Sequence, residues 1–142
     1  MLYIGCDHAG YNEKEQVIKY LKEKNIEFVD VGTNSSESVH YPDYAKKVCE
    51  NIKTDADRGI LICGTGLGMC MCANKYKYIR AGLCINIKQA KLSRKHNNAN
   101  VLCLQGRDVK QGKNNKIINA FLNTKFENGR HLQRIKMFSE VL

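Results

Sequence analysis

The ten residues Gly59-Ile60-Leu61-Ile62-Cys63-Gly64-Thr65-Gly66-Leu67-Gly68 constrain this chain more than any other stretch. Gly59–Ile62 read as a buried strand that runs into a cysteine. A glycine-rich turn follows at once, and the small-residue run Met69-Cys70-Met71-Cys72-Ala73-Asn74 can pack as a helix. A strand–turn–helix of this kind puts a side chain at the carboxyl edge of a parallel sheet. It also turns several backbone N–H groups toward one point. Open α/β sheets bind ligands at that edge, and helix starts attract anions. Cys63 to Gly68 is therefore the candidate active site, and the question becomes what else converges on it.

The rest of the chain repeats the strand–helix alternation. Strands are expected at residues 2–6, 26–31, 80–84 and 100–104, besides the one that ends at Cys63. Residues 12–24 carry Val17, Ile18 and Leu21 at helical spacing. Asn12 is expected to cap that helix, with Glu15 three residues on. A second helix opens at Tyr41-Pro42, where proline suits the first turn. It runs to about Lys53 with Ala45, Val48, Cys49 and Ile52 inward. Further helices are expected from the glycine loop to about Tyr78, then at 87–96, 109–123 and 129–141. Regular alternation implies a five-stranded parallel sheet covered by helices on both faces. The expected fold is a three-layer, Rossmann-like α/β/α sandwich. The final helix follows after the sheet is finished, so it can reach a second subunit.

Length and composition narrow the class. At 142 residues the chain reads as one domain, residues 1–142, able to bury a core without disulfides or metal. No apolar run approaches the ~18–20 residues of a membrane span. Met1-Leu2-Tyr3-Ile4 enters a strand pattern directly, without a basic leader segment. Seven cysteines are present, an odd number with no C-x-x-C pair and no two histidines at helical ligand spacing. Reduced thiols in a cytoplasmic protein are expected, and neither a metal site nor a cofactor.

Charge is uneven. Residues 1–74 hold 8 basic and 11 acidic side chains, whereas residues 75–107 hold 8 basic and none acidic. That asymmetry reads either as a solvated surface or as an anion-binding side of the molecule. A basic nucleic-acid-binding domain is one alternative, but few aromatics and no reader motif support it. A thiol redox protein pairing Cys63 with a near cysteine such as Cys70 is another.

Polar groups at the loop positions complete the candidate set. Asp7 and His8 follow the first strand, and Arg107 follows the fifth. His96 and Asn97 precede the fifth strand, on the opposite sheet edge by simple topology. They meet the glycine loop only if their helix is short or tilted, or if they serve a neighbouring subunit. Arg130 and Arg134 share a face of the last helix. Each has a plain structural reading: a buried thiol, a capping carboxylate, a helix-end histidine, a solvated arginine face. The dinucleotide fingerprint fails because position 69 is methionine and no acidic residue follows ~20 positions later. The P-loop lysine is absent too. A G-T-G-x-G loop beside a cysteine suits an oxyanion or a small phosphate.

Taken together, the chain resembles the type B ribose-5-phosphate isomerases and their galactose-6-phosphate isomerase relatives. The matching pieces include Gly5-Cys6-Asp7-His8-Ala9-Gly10, Tyr41-Pro42-Asp43-Tyr44-Ala45, Ile62-Cys63-Gly64-Thr65-Gly66-Leu67-Gly68, Leu92-Ser93-Arg94-Lys95-His96-Asn97 and Gly129-Arg130-His131-Leu132-Gln133-Arg134. They run through nearly the whole chain in order. The resemblance implies a homodimer or homotetramer with active sites at the subunit interface. It implies metal-free interconversion of an aldose and a ketose phosphate through an enediolate, with neither nucleic acid nor membrane as partner. Cys63 then matches the base, Met69 standing where some members carry a glutamate base. His96 matches the ring-opening residue, with Asp7 as its possible partner. Thr65, Gly64, Gly66, Leu67 and Gly68 match the oxyanion cradle, and Asn97 a hydroxyl or oxyanion contact. His8, Arg107, Arg130 and Arg134 match phosphate or sugar contacts shared between subunits. Ribose 5-phosphate is the leading substrate and a six-carbon sugar phosphate, allose or galactose 6-phosphate, the alternative.

Overall fold

A computed structural model describes residues 1–141. The elements are β1 (Leu2–Cys6), α1 (Tyr11–Glu23), β2 (Val29–Gly32), α2 (Tyr41–Asn51), β3 (Arg58–Cys63) and α3 (Leu67–Ala73), followed by β4 (Ala81–Leu83), α4 (Ile87–Asn97), β5 (Val101–Gln105), α5 (Lys113–Asn123) and α6 (Arg130–Lys136). Short 3-10 turns stand at His8–Gly10 and Met137–Glu140. All strand pairs are parallel, in the order β2-β1-β3-β5-β4. The expected three-layer sandwich is thus present.

The period of two along the central strands splits the core. Ile60 and Ile62 pack with Leu102, Leu104, Val17, Leu21, Ile117 and Phe121 on the face covered by α1, α4 and α5. Leu61 and Cys63 pack with Val101, Cys103, Val48, Cys49 and Met69 under α2 and α3. Burial on both faces explains why these strands read as unbroken apolar runs. The chain leaves β1 toward β2 on one side and leaves β3 toward β4 on the other. The crevice between the carboxyl ends of β1 and β3 is therefore a topological switch point, where such sheets place ligands.

Local chemistry moved several boundaries. Asn12 does not cap the first helix and lies inside its first turn. The N-cap of α1 itself is Gly10, which has no side chain to cap with. Asp7 instead caps the 3-10 turn His8–Gly10 that leads into α1, its Oδ1 accepting from the Gly10 N–H at 3.0 Å. The turn after β1 is tight enough for this short carboxylate to reach backbone three residues on. Residues 26–28 do not join the ladder, because the Ile26 N–H closes the end of α1 on the Leu21 carbonyl at 2.9 Å. Ile26 and Phe28 pack against the core instead. The third helix stops at Ala73, well before Tyr78. Asn74 then bridges to the backbone N–H and carbonyl of Ala81 at 2.8 and 3.0 Å.

One side chain on the polar side of the helical pattern is fully buried. Lys14 sits beneath α1 with Nζ 2.6 Å from Asp30 Oδ1 and 2.6 Å from the Thr33 carbonyl. Its ammonium ties α1 to the end of β2 and to the segment leading away from it.

Candidate active site

Cys63 is the last residue of β3, nearly buried, with its sulfur on the α2/α3 side. The Gly66 N–H donates to Cys63 Sγ at 3.2 Å, and the Leu67 N–H donates to Thr65 Oγ1 at 3.2 Å. Glycine is required at position 66 by conformation and by space. Its φ is +80°, and an added Cβ would stand 2.6 Å from Leu83 Cδ1 and 3.0 Å from the Leu104 carbonyl oxygen. The first turn of α3 supplies further N–H groups with no partner four residues back. Met69 is fully buried beneath that turn, so its side chain is core rather than chemistry.

Two neighbouring turns close on this loop. The Asp7 N–H donates to the Ile62 carbonyl at 3.2 Å, which fixes the β1 turn beside β3. Gly10 touches the strand so closely that a Cβ would lie 2.4 Å from the Ile62 carbonyl oxygen. From the other side, the Gly106 N–H donates to the Cys63 carbonyl at 2.8 Å and the Arg107 N–H to that of Gly64 at 3.1 Å. Arg107 is exposed, and its Nη1 lies only 3.5 Å from where a Gly64 Cβ would be. His8 Nδ1 accepts from the Val39 N–H at 3.2 Å. That bond places the ring proton on Nε2, leaving a donor for an anion. Asp7, His8, Cys63 to Gly68 and Arg107 thus form one cluster at the switch point, open to solvent at Thr65, Leu67 and Arg107.

The remaining candidates form a second cluster. His96 and Asn97 end α4, which runs against the strands, so they lie at the opposite sheet edge. The Asn100 carbonyl accepts from the Gly59 N–H at 2.9 Å, at the start of the strand that Cys63 ends. Four residues at ~3.3 Å each put about 13 Å of strand between those levels. Within one chain, His96, Asn97, Arg130 and Arg134 therefore stand apart from Cys63. A cavity of about 670 Å³ lined by Ala81, Asn97, Phe138 and Val141 lies on this side of the molecule.

His96 has neighbours that the sequence did not single out. Its ring stacks on His131, with centroids 4.3 Å apart and planes 14° from parallel. His96 Nε2 and His131 Nε2 lie 3.9 and 3.6 Å from Glu127 Oε2. The Glu127 N–H donates to the Lys95 carbonyl at 3.1 Å, which joins the α6 lead-in to the end of α4. Buried Arg94 secures the same junction through the carbonyls of Thr124 and Ala99 at 3.2 and 2.6 Å. Burial lowers the His131 pKa, helped by His96 and Arg130. The four-residue spacing of Glu127 and His131 was the available signal. Their meeting with His96 depends on packing between α4 and α6.

Cys70 packs half-buried against the α2/α3 side of the core. A hydrogen bond from the Cys103 thiol lowers its pKa to about 7, against the opposing effect of burial. Burial pushes Cys6 and Cys49 up to about 12. All seven cysteines are free.

Comparison with known proteins fixes the family. The model of the Ribose/Galactose Isomerase family matches residues 2–138. The chain belongs to that family. Among its relatives is a probable ribose-5-phosphate isomerase B of Mycoplasma genitalium, 46% identical over 94% of this chain and 90% of that protein. The crystal structure of a ribose 5-phosphate isomerase from Thermotoga maritima superposes with a TM-score of 0.94 at 50% identity, covering 99% of this chain and 97% of that one. The Mycoplasma genitalium isomerase solved with bound ribulose 5-phosphate gives 0.92 at 44% identity, covering 98% and 93%. These similarities extend over the whole sheet and both clusters. No helix among the described residues is long and apolar enough to cross a membrane.

Proposed function

We propose that this chain interconverts ribose 5-phosphate and ribulose 5-phosphate, with Cys63 as the base and no cofactor. The observation that carries the reading is the cysteine at the switch point, faced by the Gly66 N–H at 3.2 Å and backed by a donor-rich turn. The likeness to an isomerase solved with ribulose 5-phosphate supports the choice of substrate.

The chemistry follows from the acidity problem. A C–H beside a carbonyl is a weak acid, so the base and the stabilisation of the enediolate must act together. The Cys63 thiolate takes the proton from C2 of the open-chain aldose, and the electron pair moves through C1 to the carbonyl oxygen. The proton is then returned at C1 while the O2 hydroxyl proton passes to O1. General-base action of this kind is worth ~10²–10⁴-fold. Thr65 and the N–H groups of the Gly64–Gly68 turn hold the developing oxyanion, each well-placed donor contributing roughly 3–4 kcal/mol. His8 and Arg107 bind on the same side, and Asp7 fixes the turn that carries His8.

Ring opening and the rest of the substrate grip come from a second copy. The active site is composite: His96 opens the furanose, Asn97 contacts a hydroxyl, and Arg130 and Arg134 hold the phosphate from the partner subunit. Separation of the two clusters within one chain supports this arrangement. So do the exposed apolar side chains Leu67 and Met71 on α3 and Met137, Phe138 and Val141 at the end of the chain, which need cover. The enzyme is a homodimer or a homotetramer of such pairs, acts in the cytoplasm where its thiols stay reduced, and binds neither nucleic acid nor membrane.

A coupled isomerase assay on ribose 5-phosphate and on allose and galactose 6-phosphates tests the reading. Cys63→Ala is expected to lose at least ~10²-fold in turnover, and full activity in that variant would remove Cys63 as the base. His96→Ala should lose more on ribose 5-phosphate than on erythrose 4-phosphate, which has no ring to open. Equal losses on both would argue against ring opening by His96.

A further inference from the structure

Arg107 rides on the segment that joins β5 to α5, and His8 on the turn between β1 and α1. One side chain bonds the bases of both. Asn114, in the first turn of α5, is 1% exposed, so both of its bonds are shielded from water. Its Nδ2 donates to the Gln105 carbonyl at 2.8 Å and to Glu13 Oε1 at 3.0 Å. The first bond closes the Arg107 segment at its base. The second ties that base to the first turn of α1, just past the His8–Gly10 turn. We infer that Asn114 and Glu13 are positioning residues that set Arg107 relative to His8, and through them the grip on the sugar phosphate.

The Gln105–Gly106 peptide shows how the setting works. Its carbonyl accepts from Asn114, and its N–H donates to the Cys63 carbonyl at 2.8 Å. A peptide unit is planar, so bonds at both ends fix its orientation. Arg107 follows directly, with its own N–H on the Gly64 carbonyl at 3.1 Å. The neighbouring turn leaves no slack. A Cβ on Gly106 would stand 2.8 Å from Gly10 Cα and 2.9 Å from the Ala9 carbonyl oxygen. Arg107 itself is exposed, so order at the base of its segment decides where the guanidinium sits.

Packing alone does not call for this pair. An apolar pair of the same shape would hold α1 against α5 about as well. It would not orient the Gln105 carbonyl. Glu13 is half-buried, and burial raises its carboxyl pKa while the Asn114 bond opposes that rise.

The effect on catalysis rests on Arg107 and His8 binding the substrate, as proposed above. Steady-state kinetics on ribose 5-phosphate and amide hydrogen exchange on the free protein test the two parts separately. Glu13→Leu should raise KM about tenfold with kcat little changed, the pattern of lost uniform binding. Glu13→Gln keeps an acceptor for the Asn114 amide and should restore KM. In an Arg107→Ala background, Glu13→Leu should raise KM no further. Without substrate, the Gly106 and Arg107 amides should exchange faster in Glu13→Leu, while those of Leu102 and Cys103 keep their protection. Unchanged exchange at Gly106 and Arg107, or an equal rise in KM with and without Arg107, overturns the inference. An Arg107→Ala variant with wild-type KM would remove Arg107 from the substrate grip and the inference with it. Wild-type protein inactive on ribose 5-phosphate would overturn the proposed function, with the exchange comparison still deciding whether Glu13 and Asn114 hold the turn.

Discussion

The Gly66 N–H points at Cys63 Sγ from 3.2 Å, across a turn that only glycine can make. Backbone and sulfur are therefore set by one residue that has no side chain of its own. Gly66→Ala tests this coupling. A Cβ there meets Leu83 and the Leu104 carbonyl at a φ of +80°. The variant should lose roughly 1–3 kcal/mol of stability, read by denaturant unfolding. Turnover should fall as well, because the N–H moves with the strained turn. Wild-type activity at lowered stability would separate the turn's shape from its chemistry.

A composite site predicts complementation. Cys63→Ala and His96→Asn damage opposite clusters, so a mixed dimer holds one site with both groups intact. Refolding equal amounts of the two together should restore about a quarter of wild-type activity under random pairing of a two-fold dimer. Each variant alone should stay low. A mixture no more active than the separate proteins would place both groups in the same protomer's site.

Lys14 carries a stability prediction. Truncation to Lys14→Ala leaves the Asp30 carboxylate and the Thr33 carbonyl without their shared donor. The loss should be about 3 kcal/mol, toward the lower end for broken buried pairs because Asp30 is 26% exposed. Lys14→Met together with Asp30→Asn should recover part of it, since both members of the pair then change. Urea unfolding of the single and double variants gives the coupling.

Thiol labelling should depend on pH in a residue-specific way. Cys70 is lowered to about 7 by the Cys103 hydrogen bond, so its thiolate fraction grows as pH rises through 7. Cys6 and Cys49 are pushed up to about 12 and stay protonated over that range. Iodoacetamide labelling followed by peptide mass spectrometry should show Cys70 reacting faster at pH 8 than at pH 6, with Cys6 and Cys49 silent at both. A flat Cys70 profile would contradict the Cys103 bond. Cys70→Ser is then the background in which to alkylate Cys63 cleanly.

The sequence by itself determined the layered fold, because apolar runs of strand length alternate with helical patterns and a parallel sheet must cover both its faces. It also determined the cysteine–glycine loop, since residues 63–68 are contiguous and their turn is local. Boundaries slipped where local bonding outcompeted the pattern: a 3-10 turn capped by Asp7 starts α1 ahead of Asn12, and the Ile26 N–H closes a helix instead of opening a strand. Tertiary structure alone decided what is joined across distance. Burial of Lys14, the stacking of His96 on His131 and the lowered pKa of Cys70 each arise where separate elements pack. No spacing along the chain encodes those meetings. The division of the candidate residues into two clusters follows from the antiparallel run of α4 against the sheet, which the alternation implied and the packing made concrete.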